Sequence, residues 1–258
     1  MVKSKQGEFY IAHRKSIFIV LYLNRFQMKV LTYLLVILLS GSLIGQDLKG
    51  AWSSSQGRIQ SIWIVTENHF SITQYENEPA LFVSTSGGSW KKADGKILMN
   101  WEFDTSSPEK VGTQTAGNFV QGKNYIQWED IFWSRVDKGE PGALQGAWLI
   151  TGREREGIIS ERIPGARRTM KILSGTQFQW IAYNIATKEF FGTGGGSYKT
   201  VNGHYTEEIS YFSRDNSRVG ARLQFDFKLQ DGKWYHSGKS SKGKPIYEIW
   251  SKRADLGI

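Results

Sequence analysis

The sequence predicts an all-β protein made of two tandem antiparallel β-barrels behind an N-terminal segment. Three observations predict it. One unit of about a hundred residues is written twice, its candidate strands alternate with period two, and no window carries a long helical period with caps.

The duplication is clearest in Gly87-Gly88-Ser89-Trp90 and Gly195-Gly196-Ser197-Tyr198, 108 positions apart. Leu48-Lys49-Gly50-Ala51-Trp52 matches Leu144-Gln145-Gly146-Ala147-Trp148, and Phe70 with Tyr75 matches Phe178 with Tyr183. Val111-Gly112 matches Val219-Gly220, and Gly122-Lys123 matches Gly232-Lys233. The copies close alike, on Phe132-Trp133-Ser134-Arg135 and Ile249-Trp250-Ser251-Lys252. Two copies of this length indicate two domains, at 46–138 and 143–254, and not a solenoid of many short units.

Within a unit, Leu223, Phe225, Phe227 and Leu229 alternate with Arg222, Gln224, Asp226 and Lys228, the pattern of a half-buried strand. Tyr205–Tyr211 and Thr176–Tyr183 are further strands. Asp94-Gly95, Asn202-Gly203 and Asp231-Gly232 supply the positive φ of two-residue hairpin turns. Short antiparallel strands at this spacing form a meander, and closing it into a barrel removes the exposed edges.

Residues 1–45 form a separate segment. Met28-Lys29 precedes the apolar run Val30–Leu39 and the small residues Ser40-Gly41-Ser42, the layout of an export signal. Met28 also reads as a start, which would make residues 1–27 an over-extension. This segment holds six Lys/Arg and one Glu, so much of the formal net charge of +9 lies outside the barrels. The remainder has an ordinary surface, with no nucleic-acid footprint and no membrane insertion once the signal is removed. Without cysteine there are no disulfides, thiolate metal sites or lipid-modified cysteines. The expected product is secreted or periplasmic and not a lipoprotein.

Gly50-x-Trp52 and Gly146-x-Trp148 open the units, and basic residues close them. Together with Phe178-Gln179-Trp180, Trp234-Tyr235-His236 and Glu248-Ile249-Trp250, this pattern resembles the lipocalin-like (calycin-type) domains of exported bacterial proteins. The resemblance implies a basic side chain from the last strand covering the first-strand Trp. Arg135 occupies that place in unit one. In unit two its register partner is Lys252, with Arg253 beside it, so the cation over Trp148 is open at this level.

An eight-stranded barrel is just wide enough for a small ligand. Strand alternation places Tyr205, Glu207, Ile209 and Tyr211 on one face, Phe178 with Trp180, and Trp234 with His236. The expected ligand walls are Trp180, Tyr183, Tyr198, Tyr205, Glu207, Tyr211, Trp234 and His236, suited to a sugar-like or amphipathic molecule. In unit one Glu207 is replaced by Met99 and Tyr205 by Ile97, so that barrel is expected to be packed, with Trp63, Trp90, Trp101 and Phe103 in its core. Trp148 to Phe178 spans 30 positions against 18 from Trp52 to Phe70. The extra residues place Arg153, Arg155, Arg162, Arg167 and Arg168 at the barrel mouth, facing a protein or glycan partner or an anion. The histidines show no metal spacing and the glycine run Gly192–Gly196 lacks a following helix, so neither metal nor cofactor is expected. The expected function is non-catalytic binding of a small ligand in the second barrel. The alternatives are a protein- or polysaccharide-interaction module with packed barrels, and an acid–base hydrolase or isomerase using Glu207 and His236.

Overall fold

A computed structural model of the chain describes residues 48–258, apart from 94–95 and 241–242. The export signal and the Asp94-Gly95 turn lie outside the described residues.

The first meander runs through β1 (Gly50–Gln56), β2 (Ile59–Val65), β3 (His69–Glu76), β4 (Leu81–Ala93), β5 (Lys96–Asp104), β6 (Gln114–Gly117), β7 (Phe119–Gln121), β8 (Tyr125–Trp128) and β9 (Ile131–Asp137). Each strand except β6 pairs antiparallel with the next, and β1 also pairs with β9. β6 and β7 are two pieces of one strand interrupted at Asn118, the first paired with β5 and the second with β8. Eight strand positions therefore ring the first barrel.

The second meander runs through β10 (Gly146–Arg155), β11 (Ile158–Glu161), β12 (Arg167–Leu173), β13 (Gln177–Asn184), β14 (Phe190–Val201), β15 (His204–Phe212), β16 (Arg222–Gln230), β17 (Lys233–Lys239) and β18 (Pro245–Lys252). Direct pairing of β10 with β12 and β18 closes it. The end of β10 continues past the barrel and folds back on β11 as a hairpin, which accounts for the twelve added positions. Asn202-Gly203 and Asp231-Gly232 both take positive φ, as their dipeptides require.

The duplicated glycines are bulge sites. Register shifts between Gly87 and Gly88 and, in the second copy, between Gly195 and Gly196. A Cβ on Gly88 would lie 1.9 Å from the Asn100 carbonyl oxygen, and one on Gly196 2.0 Å from that of Glu208. Only glycine permits that approach. Opposite each bulge one residue, Glu102 or Ser210, is extra, and alternation resumes on the other face. Tyr211 and its counterpart Phe103 are thereby turned out of their barrels.

Both residues join an apolar seam between the barrels. Ala51, Ile62, Ile64 and Phe103 meet Ala147, Leu149, Met170, Ile172, Ile181, Tyr183 and Tyr211. The contacts are reciprocal under the sequence repeat. Tyr75 packs on Tyr211 at 5.1 Å between ring centroids, and their respective counterparts Tyr183 and Phe103 pack at 5.0 Å. Phe82 stacks on its own counterpart Phe190 with planes 9° apart. This self-complementarity is that of an isologous dimer written into one chain.

A buried charged network crosses the seam. Glu102 accepts from both terminal nitrogens of Arg253 at 2.9 Å, from the Tyr183 hydroxyl at 2.7 Å and from Arg168 at 3.3 Å. Burial alone would raise the Glu102 carboxyl, but hydrogen bonds and charge from Arg253, aided by Tyr183 and Arg168, hold it below its ordinary range. Because Arg253 is committed here, Lys252 covers Trp148, its Nζ 5.4 Å from the ring, while Arg135 sits 3.8 Å from Trp52. Both indoles donate backward to a backbone carbonyl, Trp52 to Leu48 and Trp148 to Leu144.

Candidate functional site

The interior of the second barrel contains a cavity of about 700 Å³. The strand pleat explains its lining. Along β13, Trp180 and Ala182 face inward while Gln179, Ile181 and Tyr183 face the seam. Along β12, Thr169 and Lys171 face inward, whereas Met170 and Ile172 face the seam. Leu223 and Phe225 come from β16, His236 from β17, and Ile246, Glu248 and Trp250 from β18.

Of the eight residues expected as ligand walls, Trp180, Glu207 and His236 line the cavity. Tyr198, Tyr205 and Trp234 belong to the aromatic core of the same barrel, and the Tyr198 hydroxyl donates to the Ser174 carbonyl at 2.6 Å. Tyr183 and Tyr211 lie on the outer face. Tyr183 falls there by simple period-two parity with Trp180, and Tyr211 because the bulge at Ser210 reverses the face after Ile209. Likewise Phe103 is a seam residue, not part of the first barrel's interior.

The pattern of residues alone did not single out Lys171. It is buried, and its Nζ lies 2.9 Å from Glu207 Oε1. Four aromatic rings surround the ammonium: Tyr205 at 4.8 Å, Trp234 at 4.9 Å, Trp250 at 5.5 Å and Phe225 at 5.7 Å. Such rings present their negative faces to a cation. The repeat held the signal, because Lys171 occupies the register position of Trp63 within an otherwise apolar run.

His236 is buried beside this pair, its ring 4.3 Å from that of Phe225. Burial, and then the Lys171 charge, push its pKa well below the ordinary value, so the imidazole is neutral. Its Nδ1 has no hydrogen-bond partner in the protein. Burial, followed by the charge of the adjacent Glu207, raises the pKa of the Tyr205 hydroxyl well above 10. Orphan indole N–H groups say less, since Trp250 and its first-barrel counterpart Trp133 both carry one.

Arginines crowd the outer part of the cavity: Arg153, Arg155, Arg162, Arg167 and Arg214. Arg153 pairs with Glu248 at 3.5 Å, Arg167 lies 4.5 Å over Phe191, and Arg214 donates to the Phe191 carbonyl. Arg168, expected at the mouth, is instead turned to Glu102 in the seam. The lining carboxylates are all engaged: Glu207 with Lys171, Glu248 with Arg153, and Glu161 with Lys233 at 2.5 Å. Among the described residues no three His, Cys, Asp or Glu side chains gather as a metal set.

The first barrel keeps the framework and lacks the site. Trp63, Met99 and Ile126 stand where the second has Lys171, Glu207 and His236. All three are buried in a cluster with Trp52, Phe70, Trp101 and Trp133. Comparison of the chain with protein-family models and with curated proteins gives no match.

Proposed function

We propose that the protein is an exported, lipocalin-like carrier that binds a small amphipathic molecule in its second barrel without transforming it. The observation that carries this reading is the contrast between the two interiors. A cavity of about 700 Å³, within the usual range of ligand sites, lies in the barrel that has Lys171, Glu207 and His236. Ile150, Ile209, Phe212, Leu223 and Ile246 on its wall favour an amphipathic guest over a sugar-like one, because a sugar would leave hydroxyls against apolar side chains. The eight-position meander with Gly-x-Trp under a cation supports the lipocalin-like resemblance, and the apolar run after Met28 supports export.

Trp180 and Trp250 both line the cavity, so their fluorescence reports its filling. Titration with a series of alkyl amphipaths should give a saturable change that Trp180→Ala reduces. An unchanged signal across the series, together with an unchanged melting temperature, would remove the carrier reading.

A second reading has its own observation. Ile158, Ile159 and Ile163 are exposed on the hairpin segment beside Arg155 and Arg162. They favour a protein partner at the mouth, which a hairpin-deleted variant tested for retained ligand binding would separate from the cavity.

A further inference from the structure

We propose that the ligand of the second barrel carries a phosphate monoester head, seated at the mouth by Arg155, Arg162, Arg167 and Arg214, with its apolar body in the cavity beneath. This inference rests on the carrier reading and adds the chemical class of the ligand and its direction of entry.

Charge accounting supplies the first argument. Six cations line the cavity, Arg153, Arg155, Arg162, Arg167, Arg214 and Lys171, against three carboxylates. Each carboxylate already has a partner at 3.5 Å or less. Among the described residues no carboxylate pairs with Arg155, Arg162, Arg167 or Arg214. All four are solvent-exposed, so the surplus positive charge is concentrated at the entrance. Guanidinium groups engage phosphate as a planar fork, and several can share its oxygens, whereas one carboxylate offers only two.

The deep end supplies the second argument. Lys171 is neutralised by Glu207 at 2.9 Å and enclosed by aromatic rings, so it has no free charge to attract an anion inward. His236 beside it is neutral, with its Nδ1 unpartnered. Between the deep pair and the mouth lie Ile150, Ile209, Phe212, Leu223 and Ile246, a length of wall that rewards an apolar chain. Head outward and chain inward is therefore the favourable orientation.

Binding of dodecyl phosphate, dodecanoate, dodecyl maltoside and inorganic phosphate to the barrel-containing chain, below micellar concentration, tests the proposal through tryptophan fluorescence. Dodecyl phosphate should bind about tenfold or more tighter than the other two amphipaths, and the difference should shrink as salt is added. Arg155→Ala/Arg167→Ala should weaken dodecyl phosphate by about tenfold or more while leaving dodecyl maltoside unchanged, which also reports that the variant is folded. Equal affinity for all three amphipaths, unaffected by the double substitution, would overturn the head-group assignment and leave the carrier reading standing. Inorganic phosphate binding as tightly as dodecyl phosphate would overturn the amphipath and assign free phosphate as the ligand. Binding of none of the four would overturn both readings.

Discussion

The two barrels share strand order, a Gly-x-Trp under a cation and a glycine bulge at the same place, yet the first has an apolar cluster where the second has a buried charge pair beside a cavity. In the first, Trp63 occupies the position that Lys171 takes in the second, and bulky Met99 replaces Glu207. The comparison separates what makes the fold from what makes the site. Features common to both copies serve closure and the seam, whereas the interior substitutions serve the cavity. A charge pair buried in a barrel interior costs stability that close packing would not, so its confinement to one copy points to use.

The sharpest way to break the comparison is to remove one member of the buried pair. Lys171→Met leaves Glu207 buried without its cation and should destabilise by about 3–5 kcal/mol in urea unfolding. Lys171→Met/Glu207→Met, which makes the second interior resemble the first, should recover most of that loss. If the single and double variants are equally unstable, the pair is not what distinguishes the barrels.

Next in size are the shared bulges. Gly88→Ala should destabilise by about 1–3 kcal/mol, because the added Cβ meets the Asn100 carbonyl, and the equivalent Gly196→Ala should cost a similar amount. Unequal losses would show that the two bulges are not equivalent.

The seam gives a pH-dependent test. His69, buried and facing Arg253, has its pKa pushed down to about 3 from 6.5, first by burial and then by that charge, and Glu102 is held below its ordinary value. Both folded values lie below the unfolded ones. Their stabilising contribution is therefore complete above pH about 6.5 and is lost as pH falls toward 3. Glu102→Gln should lower stability at neutral pH by about 1–3 kcal/mol and flatten the acid end of the profile. A parallel pH profile for wild type and variant would remove Glu102 from that role.

The smallest effect compares the covering cations. Arg135→Ala should cost more than Lys252→Ala, within about 0.5–2 kcal/mol, because Arg135 lies 3.8 Å from its indole and Lys252 5.4 Å.

The architecture was legible because repetition and strand alternation are sequence-local signals. The half-site formed by Trp180, Glu207 and His236 was legible for the same reason. Tyr211 was misplaced because a bulge at Ser210 reverses inward and outward without disturbing the amino-acid pattern. Lys171 was missed because a lone lysine between Met170 and Ile172 reads as a surface residue until its counterpart Trp63 is set beside it. The destination of Arg168 and Arg253 depends on Glu102, far away in the chain, and no local pattern encodes that meeting.

The seam also determines how the chain comes apart. Stacked Phe82 and Phe190, together with the buried Glu102–Arg253 pair, make each barrel the other's missing half of a core, so the two should melt in a single transition. A weakness in one is then spread over the stability of both. The apolar first barrel acts as ballast, allowing its twin to keep a buried charge pair and a cavity and still fold.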